Sequence, residues 1–203
     1  MRNCLEILSQ NNCKVQIITK SNLVIRDVDI LRKVPSVVSL TITTDDDETA
    51  RLIEPNAPPS SERLKTLKTL IENGIPTSVR IDPIIPFVND NPEKLIKSVA
   101  RMGVRHITSS TYKVKPDNWR RFSTAAPHIA EKLRPLYFGI GQKTNEHTCL
   151  PKDLRFDLMG RVASLAQKYG LKFGTCREGS SSLNTAVCDG SWLLDEPARR
   201  STS

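Results

Sequence analysis

The sequence predicts an α/β fold whose parallel sheet curls into part of a barrel, and three observations lead there. Short β-rich runs alternate with amphipathic helical segments, the arrangement that gives right-handed crossovers and parallel pairing. The runs are apolar on one face and polar on the other, whereas a parallel sheet covered by helices on both sides is apolar on both. At 203 residues the chain is also shorter than the roughly 250 that a complete eight-stranded barrel typically needs.

The elements follow in order. Residues 15–19 read as a first strand, 37–43 as a second, 78–82 as a third and 105–108 as a fourth. Between the second and third, Leu64, Leu67, Leu70 and Ile71 fall on one helical face. Ser60 or Ser61 suits its start, and Gly74 with Pro76 its end. Between the third and fourth, Asn91 suits a cap and Pro92 a first helical position. Leu95, Ile96, Val99 and Ala100 form the buried stripe before Gly103. The second half is less regular: a helical stretch at 119–133 broken at Pro127, a short strand at 136–138, a helix from Phe156 to Tyr169 and a strand at 171–175. From Glu178 onward the chain is rich in Ser, Gly and Arg and reads as loop followed by disorder. The expected division is residues 1–125 as half of a barrel and 126–203 as a C-terminal extension.

The strand faces carry the most information. Val38, Leu40 and Ile42 oppose Ser39, Thr41 and Thr43; Val79 and Ile81 oppose Ser78, Arg80 and Asp82. Crossover helices must pack on the apolar side, which leaves the polar side facing a lumen. A small α/β domain with helices on one face only is the alternative. In barrels the chemistry sits at the C-terminal strand ends, here Lys20, residues 41–44, 82–85 and 108–111.

Composition narrows the class further. The chain carries 30 Lys and Arg against 22 Asp and Glu, a formal charge of +8, with 38% hydrophobic residues, as in an ordinary folded domain. No apolar run approaches the roughly 20 residues that span a bilayer, and a cytoplasmic location is expected. Its five cysteines form no CxxC pair, which fits a reducing compartment better than a disulfide framework. The basic stretch 113–121 with Trp119 reads as a solvated helix face with one anchoring ring, and alternatively as a nucleic-acid contact. Asp45 to Glu48 lacks the glycine of a calcium loop and reads as a solvated acidic loop. His147, Cys149, Cys176 and Cys188 are candidate zinc or auxiliary-cluster ligands, though their spacings match no finger pattern. His106 reads as structural.

Four runs at the strand ends go further when taken together. Ile18-Thr19-Lys20-Ser21, Val38-Ser39-Leu40-Thr41-Ile42, Glu54-Pro55 followed by Ser61-Glu62-Arg63-Leu64, and Asp82-Pro83-Ile84-Ile85-Pro86 resemble, in this order and spacing, the spore photoproduct lyase and DNA repair photolyase-like branch of the radical S-adenosylmethionine (SAM) superfamily. The resemblance covers about residues 5 to 120. The tail, from Cys176-Arg177-Glu178 to Cys188-Asp189-Gly190, is similar to the end of archaeal-type members.

The resemblance implies a partial (β/α)6 barrel of which this chain carries about the last four β/α units. It implies SAM and a 4Fe–4S cluster as cofactors, hydrogen abstraction by a 5′-deoxyadenosyl radical, and a lyase acting in DNA repair. It also implies a CxxxCxxC loop after the first strand and a Gly-rich second strand, and this sequence contains neither. The chain is therefore expected to be a truncated member, one half of a split enzyme whose other half bears CxxxCxxC, or a relic, and to be inactive alone. A non-catalytic nucleic-acid-binding subunit is the alternative. Carried over residue by residue, Lys20 approaches the cofactor carboxylate, Thr41 supplies a hydroxyl to the cofactor, and Asp82 orients polar neighbours or pairs with Arg80. Glu54 by itself reads as part of an unremarkable loop dipeptide.

Overall fold

The computed structural model describes residues 2–195. The chain opens with α1 (Arg2–Gln10), β1 (Val15–Thr19), a 3-10 stretch (Asn22–Asp27) and α2 (Val28–Leu31). There follow β2 (Ser36–Thr41), α3 (Asp47–Ile53), α4 (Ser60–Glu72), β3 (Thr77–Ile84), α5 (Glu93–Met102) and β4 (His106–Thr111). Two consecutive helices, α6 (Pro116–Ala125) and α7 (Pro127–Arg134), lead to a hairpin of β5 (Gln142–Lys143) and β6 (Thr148–Cys149). The last regular elements are α8 (Lys152–Lys168) and β7 (Lys172–Thr175).

Five strands form one parallel sheet in the order β1-β2-β3-β4-β7, so the fold is the expected open, partial barrel. Residues 172–175 lie beside β4 as its fifth strand. Helices α4, α5 and α8 cover the apolar face. Leu67, Leu95, Ile96, Val99, Met159 and Val162 pack with Leu40, Val79, Ile81, Ile107 and Phe173 in one continuous core. Each such side chain, fully buried, contributes about 1.5–3 kcal/mol relative to exposure.

Three local readings are corrected. Residues 136–138 are not a strand: α7 runs on into a π-helical turn, Pro135–Gly139. Tyr137 is buried there and its hydroxyl donates to the carbonyl of Tyr112 at 2.8 Å, which draws the segment onto the core instead of a sheet edge. The acidic run 45–48 is not simply solvated. Asp46 accepts from the amide of Thr49 at the start of α3, Asp47 accepts from the amide and hydroxyl of Ser61 at the start of α4, and Asp45 pairs with Lys94 at 2.8 Å. Carboxylates at helix starts satisfy amides with no partner inside the helix.

The third correction concerns the tail. Residues 178–195 are loop with two 3-10 turns, as expected, but they are ordered against the sheet, and the rest of the expected disorder lies outside the described residues. The amide of Thr185 donates to Phe173 and the amide of Phe173 donates to the Thr185 hydroxyl, both at 2.8 Å, which covers the outer edge of β7. The chain then crosses the polar face as a strap. The hydroxyl of Thr108 donates to the carbonyl of Cys188 at 2.6 Å, and the side-chain Nε2 of Gln16 on β1 donates to the carbonyl of Asp189 at 2.7 Å. Ser39, Ser78, His106 and Thr108 are completely buried. The outer edge of β1 has no strand beside it among the described residues, and Ile18 is 54% exposed there.

Two glycines admit the strap. A Cβ on Gly174 would lie 2.5 Å from the Cα of Cys188. Gly190, at φ 78°, would place a Cβ 3.1 Å from His106 and 3.2 Å from the hydroxyl of Ser78. Gly190→Ala is therefore expected to cost about 1–3 kcal/mol through backbone strain and crowding. A lower urea midpoint with an unchanged slope would report it; an unchanged midpoint would mean that the strap is not seated against the sheet.

Candidate functional site at the strand ends

At the C-terminal mouth, Glu54 joins three segments. It follows α3 with its side chain only 6% exposed. Its carboxylate takes the ammonium of Lys20 at 2.8 Å, the guanidinium of Arg63 at 2.6 Å and the hydroxyl of Thr43 at 2.7 Å. Arg63, fully buried on α4, also donates to the carbonyls of Thr41 at 3.0 Å and Pro58 at 2.7 Å. The ends of β1 and β2, the loop after α3 and the start of α4 are thus tied to one buried carboxylate. Burial works to raise its pKa, yet Lys20, Thr43 and Arg63 hold it below the usual carboxylate range.

Glu178 does the same work on the other side. Its buried carboxylate accepts from the amide of Thr111 at 2.7 Å, the hydroxyl of Thr111 at 3.0 Å and the ammonium of Lys113 at 2.7 Å, with Arg155 at 3.4 Å. Asn89 bridges the middle strands. Its amide nitrogen donates to the carbonyls of Thr43 and Pro83, and its oxygen accepts from the amide of Ile85. A cleft of about 930 Å³ opens over these ends, with Lys20, Glu54, Pro83, Ile85, Tyr112 and Arg121 among its walls.

The candidate residues fall into two groups. Lys20 reaches the cleft, and Thr41 is joined to it through Arg63 and Glu54. Asp82 is committed to its neighbours: it pairs with Arg80 at 2.7 Å and accepts from the hydroxyl of Ser110 at 2.5 Å. Burial works to lower the pKa of Arg80, but Cys176 and Asp82 hold it above the ordinary guanidinium value. Thr41 and Arg80 are register partners on the lumen face.

The cysteine-rich metal candidates are not brought together. Cys149 is buried in β6, Cys176 lies at the end of β7 and Cys188 in the strap. Among the described residues no three His, Cys, Asp or Glu side chains converge as metal ligands. The basic stretch is a solvated face in its helical part, where Arg120 and Arg121 pair with Asp117 at 3.2 and 2.9 Å and Trp119 packs edge-on against Phe138 with centroids 5.1 Å apart, but Lys113 turns inward to Glu178.

Of the residues that tie the mouth together, Glu54 and Arg63 stand in the motif runs without an assigned site role, and Glu178 stands in the tail run without one. Arg63 did carry a signal. It stands four residues before Leu67, on the apolar stripe of α4, where an unpaired charge could not remain. Glu178 carries none within its own segment, because its partners are 23 to 67 residues away. Arg63→Met is expected to cost about 3 kcal/mol, the lower end for breaking a buried ion pair, because Lys20 and Thr43 still hold the Glu54 carboxylate. Adding Glu54→Leu should recover much of that in a urea melt; a simple sum of the two losses would show that the pair is not coupled.

Comparison with known proteins fits this geometry. The sequence profile of the Radical SAM superfamily matches residues 2–111. An uncharacterized protein of Methanocaldococcus jannaschii is 41% identical over 90 residues, covering 44% of this chain and 34% of that protein. Another, from Acidianus two-tailed virus, is 32% identical over 114 residues, covering 52% of this chain and 38% of that protein. Among solved structures, single-substitution and double-substitution variants of spore photoproduct lyase superpose with TM-scores of 0.65 and 0.61, at 13% and 12% identity. Both cover 85% of this chain and 54% of the lyase, and the second holds AdoMet and a dinucleoside spore photoproduct. This chain thus spans little more than half of the lyase, and the matched stretches cover about a third of the two curated relatives. With more than half of its length matched by that one profile, the chain belongs to the radical SAM superfamily.

Proposed function

We propose that this chain forms the C-terminal wall of a radical SAM catalytic barrel that acts on nucleic acid, and that the cluster is held by polypeptide outside this chain. The observation that carries the reading is the polar lumen face, which ends at a cleft where Lys20 is held by a buried carboxylate. A 4Fe–4S cluster of this kind needs closely placed thiolates. The five cysteines are spread from residue 4 to residue 188, so the residues present do not fit the cluster. The missing β/α units, in the same polypeptide or in another, would add a strand to the bare edge of β1.

For SAM the chain offers partial support. Lys20 is placed to meet a carboxylate at the rim, and the Thr41 hydroxyl lies on the lumen face beside Arg80. Asp82 acts through Arg80 and Ser110 rather than on a ligand. The charge of +8 and the cations at the cleft rim suit a phosphate-bearing substrate.

Anaerobic reconstitution with iron and sulfide tests the assignment. The chain alone is expected to give no stoichiometric 4Fe–4S signal and no 5′-deoxyadenosine; both appear once units bearing CxxxCxxC are supplied. Lys20→Ala in that assembly should weaken cofactor binding by about 10- to 150-fold, as for one hydrogen bond to a charged group. Activity from the chain alone would overturn the placement of the cluster. Binding to DNA that does not fall with rising salt would remove the nucleic-acid substrate.

A further inference from the structure

We infer that the C-terminal strap is a releasable floor of the lumen, latched by a directed hydrogen-bond chain through His106, and that acid opens it before the sheet unfolds. The strap meets the sheet near the N-terminal ends of the strands, at Gln16, Ser78 and His106. It ends in a 3-10 turn, Ser191–Asp195. Leu193 is 2% exposed there, and it lines a 320 Å³ cavity with the loops that precede β2 and β3. The strap therefore closes the mouth opposite the cleft.

The latch has one consistent arrangement of hydrogens. The indole of Trp192 only donates, and it meets Nδ1 of His106 at 3.1 Å, so Nδ1 carries no proton. The hydroxyl of Thr108 spends its one hydrogen on the carbonyl of Cys188 at 2.6 Å. Its oxygen must then accept from Nε2 of His106 at 3.2 Å. The order is Trp192 to His106 to Thr108 to Cys188, and it requires a neutral imidazole. A proton added to Nδ1 would face the indole N–H donor to donor.

The surroundings act in the same direction. Burial, chiefly, together with the charge of Arg80 pushes His106 down to about 4, against the carbonyl of Cys188 and the carboxylate of Asp189, which work upward. The other charged groups at this end are Arg105, 5.2 Å from the Trp192 ring centre, Lys172, which is in register with His106 on β7, and the Lys14–Asp195 pair. None of these places a carboxylate on the ring to stabilise an imidazolium. Beneath the strap, the hydroxyls of Ser39 and Ser78 are buried without a partner among the described residues. Opening gives them water, which lowers the cost of release. If His106 returns to its ordinary value of 6.5 once uncovered, the ratio of open to closed strap rises roughly a hundredfold between pH 7 and pH 4.

Acrylamide quenching of Trp192, in a Trp119→Phe background, reads the strap directly, and far-ultraviolet circular dichroism reads the sheet. Quenching should increase as the pH falls from 6.5 to 4 while the dichroism stays constant. His106→Gln, which cannot titrate, should make quenching independent of pH over that range. Thr108→Val, which breaks the chain beyond the ring, should raise quenching at pH 7. Simultaneous loss of both signals would overturn the proposal, because the strap would then be inseparable from the fold. So would an acid response in His106→Gln equal to that of the unsubstituted chain. If His106→Gln does not fold, Thr108→Val decides alone: quenching unchanged at pH 7 refutes the latch.

Discussion

A parallel sheet with one polar face imposes a constraint that organises the rest of this molecule. Crossover helices can pack only on the apolar side, so α4, α5 and α8 gather there. The opposite side holds Ser39, Ser78, Arg80, His106 and Thr108, which cannot be sealed under aliphatic side chains without stranding polar atoms at about 1–3 kcal/mol each. Backbone carbonyls of the chain's own tail meet that need at Thr108 and Gln16. They do so only at the N-terminal end of the strands. The C-terminal end stays open, and there the buried charges and the cleft are found.

The two edges of the sheet are handled differently. Beside β7, Thr185 continues the hydrogen bonding, so that edge is no template for another strand. Beside β1 no such segment lies among the described residues, and Ile18 on that strand is exposed. An edge left bare and apolar is a liability unless a further strand covers it. The asymmetry leaves β1, and not β7, as the edge to which a further strand could be added.

Much of this was legible in the sequence, and the failures have physical causes. Period-two alternation located β1 to β4, because one face of the sheet is apolar and the other polar although both are covered. Period-3.6 stripes located α4, α5 and α8, because each buries one face. Residues 136–138 misled because three adjacent apolar side chains suit a buried helical turn as well as a strand. The tail misled because Ser and Gly, which suggest disorder, here serve a close approach: Gly174 and Gly190 give the strap room. At the site, Lys20, Thr41 and Glu54 all stand in the motif runs, but that the Glu54 carboxylate joins the other two could not be read from them. Long-range pairing leaves no periodic trace, and Glu54 stands in a loop with no pattern of its own.

The buried carboxylates at the cleft are better understood as devices of geometry than of stability. Two charges taken out of water recover little more than their desolvation cost, and replacing such pairs by apolar groups is often neutral. What Glu54 supplies is direction. Its oxygens fix Lys20 on one side and Arg63 on the other, and Arg63 passes the constraint to the carbonyl of Thr41. Glu178 holds Thr111 and Lys113 in the same manner at the far side of the mouth. A cleft built by loops alone would be free to drift by more than a hydrogen-bond length. One anchored at Glu54 by charge-assisted bonds of 2.6–2.8 Å presents its ammonium group from a fixed position, which is what selective contact with a small charged ligand requires.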